Sequence, residues 1–237
     1  MSGHSKWATT HRQKAVADAK RSSIFTKLSR LITVAAREKG SDINTNFALR
    51  MFVEKARDSS MPKDNIDKAI KKGTGELEGE AFEELVYEAI GPFSTQFVVK
   101  CLTDSRNRTA GNIRHLFSKA GGVMSPVAWN FDQKGVIEVF NDQLLAFNFD
   151  DLELELIENG ASDIQKDEDR IIVYCESSDL QKLKKFFDEK NIKTESAEIK
   201  YVPKDVLELN DEQTRSIEKL VDEIDSDEDI VEWWGNF

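Results

Sequence analysis

The apolar positions keep two different periods along the chain. Between Ser22 and Gly73 they recur at helical spacing, so each segment presents one buried stripe. Leu28, Leu31, Ile32 and Ala35 share such a stripe. It predicts a helix capped by Ser22 or Ser23, running to about Lys39 and stopped by Gly40 in the left-handed region. A second helix is predicted over roughly 46–58. A third opens at Pro62, whose fixed φ suits a first turn, buries Ile66, Ala69 and Ile70, and ends at Gly73.

The stretch "GTGELEGE" (73–80) reads as a linker. Its glycines miss the dinucleotide fingerprint by one residue and follow a helix rather than a strand, so a phosphate cradle is excluded on context. Beyond it the period changes to two. "ELVYEAI" and "TQFVVKCL" read as paired strands around the turn "GPFS", followed by a helix over about 107–120 and a strand "PVAWNF". From Gly135 the order is strand "GVIEVF", helix "DLELELIEN", strands "SDIQK" and "RIIVYCE", helix "SDLQKLKKFFDEK", strand "SAEIKYV". That βαββαβ order is the ferredoxin-like split unit, with helices on one face of an antiparallel sheet. A last helix from Asp211, capped by Asn210, buries Ile217, Leu220, Val221 and Ile224, and "IVEWW" closes the chain as a strand. The fold class expected is α+β. A helical N-terminal domain covers 1–79, a discontinuous α/β domain covers 80–133 and 206–237, and a ferredoxin-like domain at 134–205 is inserted into it.

Composition narrows the function. The 237 residues are 39% hydrophobic and 32% charged, which is a globular balance. No run approaches the ~18 apolar residues of a membrane span, and no apolar signal core follows the first cations, so a soluble cytoplasmic protein without a membrane partner is expected. Cys101 and Cys175 each lie in an apolar run and read as core thiols of a reducing compartment. The three histidines, at 4, 11 and 115, have no zinc spacing. No nucleophile or metal setting surrounds them either, so neither a catalytic residue nor a cofactor is expected. The acidic run "DEIDSDED" (222–229) reads as solvated surface.

Charge is the informative property. The net −11 conceals a division: residues 1–73 hold 16 Lys and Arg against 7 Asp and Glu, and 74–237 hold 17 against 37, giving +9 and −20. Such asymmetry points to a polyanion at the basic end. In the first 30 residues Lys6, Arg12, Lys14, Lys20, Arg21, Lys27 and Arg30 face a single acid, Asp18. Arg37, Lys63, Lys71 and Lys72 extend the candidate nucleic-acid-binding set, since phosphate contacts need only cations on a defined scaffold. Trp7 has two readings: it stacks on an exposed base, worth roughly 1–3 kcal/mol, or it pins the basic arm by burying on the order of 150–250 Å². In "TDSRNRTAGN" (103–112) Asp104 and Asn107 are natural helix caps. Arg106 and Arg108 there read equally as phosphate ligands and as members of surface ion pairs. The inserted unit has the topology of an RNA-recognition domain, but "RIIVYCE" lacks that module's aromatic pattern.

The segments "GHSKWA", "DAKRSSIFTKLSRLITVAAR", "MPKDNIDKAIKKGTGE", "YEAIGP", "LTDSRNRT" and "FSKAGG" together resemble the YebC family of probable transcriptional and translational regulatory proteins. The resemblance is most specific over the first 75 residues. It implies a helical N-terminal domain with two α/β domains, one inserted, and binding to nucleic acid. Some members are DNA-binding transcriptional regulators; others are translation factors that act at the ribosome, including on proline-rich stalls. Because the match begins at Gly3, it implies a bacterial-type cytoplasmic protein rather than a mitochondrial one. The expectation is a non-enzymatic nucleic-acid-binding regulator of gene expression, contacting DNA or ribosomal RNA through its basic N-terminal domain, with the ribosome or RNA polymerase as further partners. The alternatives are a ribosome-associated factor that binds rRNA or tRNA and relieves stalls, and a protein-interaction scaffold that docks an acidic protein.

Overall fold

The computed structural model describes residues 18–79 and 81–237, with side chains from Ser22 onward. The helices are α1 (Asp18–Lys39), α2 (Phe47–Asp58), α3 (Lys63–Gly73), α4 (Arg106–Lys119), α5 (Phe149–Glu158), α6 (Leu180–Glu189) and α7 (Asp211–Ser226). The strands are β1 (Glu83–Ile90), β2 (Gln96–Thr103), β3 (Val123–Met124), β4 (Phe131–Phe140), β5 (Ala161–Lys166), β6 (Arg170–Glu176), β7 (Ser196–Pro203) and β8 (Ile230–Gly235). They divide into two compact units: residues up to Phe131 together with Pro203–Phe237, and Asp132–Val202.

In the first unit α1 begins ahead of the expected caps, so Ser22 and Ser23 lie inside the helix. The good helix formers upstream of the serines outweigh their modest preference for a cap position. Gly40 does stop it, at φ +85°. Asn46 caps α2: its Oδ1 accepts from the Leu49 N–H at 3.1 Å, while its amide donates to the Ala35 and Gly40 carbonyls, both at 2.8 Å. One buried side chain thereby ties two helix ends. Helix α3 crosses α1 at Gly73, where an added methyl would meet the Thr33 carbonyl oxygen at 2.4 Å and Ala36 Cβ at 2.7 Å. The Thr33 hydroxyl donates to the Ala69 carbonyl at 3.1 Å at the same crossing.

The stripe expected on α1 serves two cores. Leu28, Ile32, Ala35 and Ala36 pack with Leu49, Val53, Ala56, Ile66 and Ala69 from the other two helices and with Met61 from the turn between them. Leu31 belongs instead with Val34, against Leu102 of β2 and beside Phe52, Phe82 and Val231. That second face lays α1 on the first sheet.

The first sheet has the order β3-β1-β2-β8, with β2 antiparallel to both β1 and β8. Its other face, carrying Ala89, Phe97, Val99 and Cys101, is covered by Ile113, Leu116 and Phe117 of α4 and by Ile217, Leu220, Val221 and Ile224 of α7. Asn210 caps α7 in a full capping box with Gln213. The segment "PVAWNF" is not a strand until Phe131. The backbone amides of Val127 and Ala128 are held by the Glu88 carboxylate, both at 2.6 Å, and residues 128–130 form a short 3-10 turn. A side chain takes the place of a ladder partner there.

The second unit has the order β5-β6-β4-β7, the ferredoxin-like arrangement, with β6 antiparallel to β4 and β5. Leu152 and Leu156 of α5 and Leu180, Leu183 and Phe187 of α6 are buried, as are Ile137, Val139, Val173 and Cys175 of the central strands. Arg170, also buried, pairs with Asp169 and Glu138 and lies over the Phe140 ring.

Candidate nucleic-acid interface

Lys6, Trp7, Arg12 and Lys14 lie outside the described residues, and Lys20 and Arg21 are described only as backbone of α1. The remaining candidates separate into engaged and unengaged cations.

On α1 the cations are engaged within the unit. Lys27 donates to the Asp225 carbonyl at 2.8 Å, and burial pushes its ammonium below the ordinary lysine value, with Asp225 and Asp227 partly opposing the shift. Arg30 donates to the carbonyls of Leu102 and Glu228 at 3.0 and 2.7 Å and to the Asp229 carboxylate at 2.7 Å, with its guanidinium over the Phe82 ring. Its side chain is only 14% exposed. Arg37 donates to the Phe82 carbonyl. Arg30 is among the cations that charge alone offers as phosphate contacts; the structure makes it an internal tie between α1 and the first sheet.

Asp229 is the centre of that tie. Its carboxylate accepts from Arg30 of α1, from Arg108 at 3.0 Å and the Thr109 hydroxyl at 2.7 Å on α4, and more weakly from Thr103 of β2 at 3.4 Å. Burial alone would raise this carboxyl, but hydrogen bonds from Thr109, Arg30 and Arg108 outweigh it and hold the group below the usual carboxylate value. The acidic run 222–229 is thus not simply solvated surface. Asp229 is buried, Asp227 accepts from the Asp229 N–H, and Asp225 accepts from the Trp233 indole at 3.0 Å. Composition alone could not reveal this, because the run looks uniformly hydrophilic and only its register at the start of β8 turns one carboxylate inward.

At the start of α4 the cap is Ser105, without a side-chain cap bond, rather than Asp104 or Asn107. Asp104 pairs with Arg108 at 2.6 Å, and Arg106 pairs with Glu83. Both arginines therefore have carboxylate partners, which corresponds to the ion-pair reading of this segment.

Helix α3 differs. Lys63, Lys71 and Lys72 are exposed, as is Lys68, which the sequence reading passed over. None of the four makes an ion pair among the described residues. With Ile66, Ala69 and Gly73 buried, Lys68, Lys71 and Lys72 fall on the opposite, outer side of the helix.

Elsewhere the chemistry is quiet. Both cysteines are free and buried, and burial pushes the thiols up to about 12 at Cys101 and about 11 at Cys175, well away from a reactive thiolate. Among the described residues no His, Cys, Asp or Glu cluster could hold a metal ion, and no helix is long and apolar enough to cross a membrane.

A basic three-helix part welded to a four-stranded sheet, with a ferredoxin-like unit inserted before the last helix, defines a mixed α+β protein of several domains. Residues 5–76 match the TACO1/YebC protein N-terminal domain and residues 82–237 match the TACO1/YebC second and third domain. The chain belongs to the TACO1/YebC family. A "Probable transcriptional regulatory protein" of Halothermothrix orenii is 42% identical over 241 residues, covering 100% of this chain and 95% of the relative. One of the same name from Fervidobacterium nodosum is 43% identical over 240 residues, covering 100% and 94%. Among solved structures, a conserved hypothetical protein, Aq1575 from Aquifex aeolicus, superposes with a TM-score of 0.80 at 36% identity, covering 93% of this chain and 91% of that one.

Proposed function

We propose that this protein is a non-enzymatic regulator of gene expression that binds nucleic acid through its basic N-terminal part. The observation that carries the reading is the outer side of α3, where exposed lysines stand without carboxylate partners among the described residues, in a chain of net charge −11. The N-terminal cations Lys6, Arg12, Lys14, Lys20 and Arg21 are proposed, from their charge, to contribute to the same binding. Lys27, Arg30, Arg37, Arg106 and Arg108 are left out of it, because each already has a partner in the fold. The relatives' names support a transcriptional role and hence DNA. A second reading, a structured RNA such as a ribosomal site, is favoured by the −20 of residues 74–237, which would repel a long duplex lying across them.

Phosphate neutralisation has a measurable signature: log Kobs falls with log salt at about 0.9 per contact on duplex DNA and about 0.7 on single strands. Full-length protein is therefore titrated against a labelled duplex DNA and a labelled ribosomal RNA hairpin over a range of salt. The triple substitution Lys68→Glu, Lys71→Glu, Lys72→Glu is expected to lower the slope by about three units on the preferred probe. It should leave the melting temperature almost unchanged, since these side chains touch no core. Wild-type binding that ignores salt, or a triple variant that binds as wild type does, would refute the proposal.

A further inference from the structure

Helix α4 is out of keeping with its surroundings. It carries Arg106, Arg108, Arg114, His115 and Lys119 and no acid, within a segment whose net charge is −20. Its cations sit on three different sides. Arg106 leans to Glu83, while Arg108 and Lys119 lean to Asp229 and Glu223. Between these flanks, opposite the buried Thr109, Ile113, Leu116 and Phe117, the exposed residues Asn107, Gly111, Arg114 and Ser118 line up as a crest. Arg114 makes no ion pair among the described residues. Ser118 turns its hydroxyl back to the Arg114 carbonyl, so it adds no bulk above the helix.

Gly111 is the second anomaly. Glycine is the costliest residue after proline in a helix interior, yet nothing inside this chain calls for it. Its φ is not in the positive range, and an added methyl would meet no atom within 4 Å. An exposed glycine one turn before an unpaired arginine lets another molecule approach the helix backbone closely. The crest carries hydrogen-bonding groups and a cation but no apolar side chain, which suits a sugar–phosphate backbone rather than an apolar protein surface.

We infer that the α4 crest of Asn107, Gly111 and Arg114 is a second contact for the nucleic-acid backbone, separate from the basic N-terminal surface. The inference rests on the proposed function and adds to it a contact in the acidic two-thirds of the chain. It follows that the ligand is held at two places, and that the bulk of residue 111 limits how closely it lies.

The test uses full-length protein with the labelled duplex DNA and, separately, the labelled RNA hairpin, which tell the two sources of backbone apart. Gly111→Ala is expected to raise the melting temperature and at the same time weaken binding several-fold. A structural role alone would not produce that opposition. Arg114→Glu should weaken binding roughly tenfold and flatten the salt slope by about one unit, and Arg114→Lys should recover most of both. If Gly111→Ala and Arg114→Glu both bind as wild type does while the α3 triple variant loses affinity, the crest is overturned and the N-terminal reading stands. If wild type binds neither probe, both fall.

Discussion

Replacing Asp229 with asparagine would leave the Arg30 guanidinium, 14% exposed, without its counter-ion between α1 and β2. Breaking a buried pair in this way costs about 3–5 kcal/mol, so the urea midpoint of Asp229→Asn should fall sharply at neutral pH. The sign of the pH dependence follows from the depressed carboxyl. Its contribution is complete above the ordinary value of 3.8 and is lost as the pH falls through the lowered folded value. The gap between wild type and variant should therefore narrow in acid below about 3.8. A gap that stayed constant down to the acid limb would show that the carboxylate charge is not what stabilises the junction. Asn46 is a milder case. Asn46→Ala removes the α2 cap, worth about 0.5–2 kcal/mol, and also strips two carbonyls of their donor, so the loss should lie at the upper end of that range.

Among the elements, the crossing of α1 and α3 is a close backbone approach and is sensitive to volume. A methyl at Gly73 would stand 2.4 Å from a backbone oxygen that α1 cannot move without shifting its whole turn. Gly73→Ala should cost about 1–3 kcal/mol by overpacking, visible as a lower melting temperature. Gly111→Ala, at an exposed helix position with no atom near the added methyl, should change stability in the opposite direction. The pair compares the same chemical change in a closed and an open setting. Equal shifts at both positions would count against the packing account.

For the whole molecule, the points where the chain leaves and returns to the first unit are joined by hydrogen bonds within that unit. The Lys204 N–H donates to the Asn130 carbonyl at 2.7 Å, and the Asp205 N–H donates to the Asn130 side chain at 3.1 Å. The chain thus leaves and re-enters the first unit at neighbouring points. Replacing residues 132–202 by a short glycine linker should preserve cooperative unfolding of the first unit, as followed by circular dichroism. A broad, non-cooperative melt would mean that the insertion is needed for the first unit to fold. Cutting the chain after residue 79 should be far more damaging, since it uncovers Leu31 and Val34 and leaves Arg30 without Leu102, Glu228 and Asp229. An isolated helical fragment should melt well below the full chain.

Local patterns in the sequence determined the elements themselves. Helical and two-residue periods, Asn210 as a cap, Gly40 as a stop and the βαββαβ order all depend on residues near one another along the chain, and each reappears in the structure. They failed where a distant group replaced a local partner. Glu88 takes the amides that would have made "PVAWNF" a strand. Periodicity identified α1 as apolar on one side but could not assign Leu31 and Val34 to Leu102, because that requires knowing that a sheet lies across the helix. Charge counting likewise located the basic end without separating its members. Whether a cation is open to a ligand or bound inside the fold depends on carboxylates and carbonyls far away in sequence. Only the tertiary structure, by placing residues 225–229 beside α1, engaged Lys27 and Arg30 and left the lysines of α3 exposed.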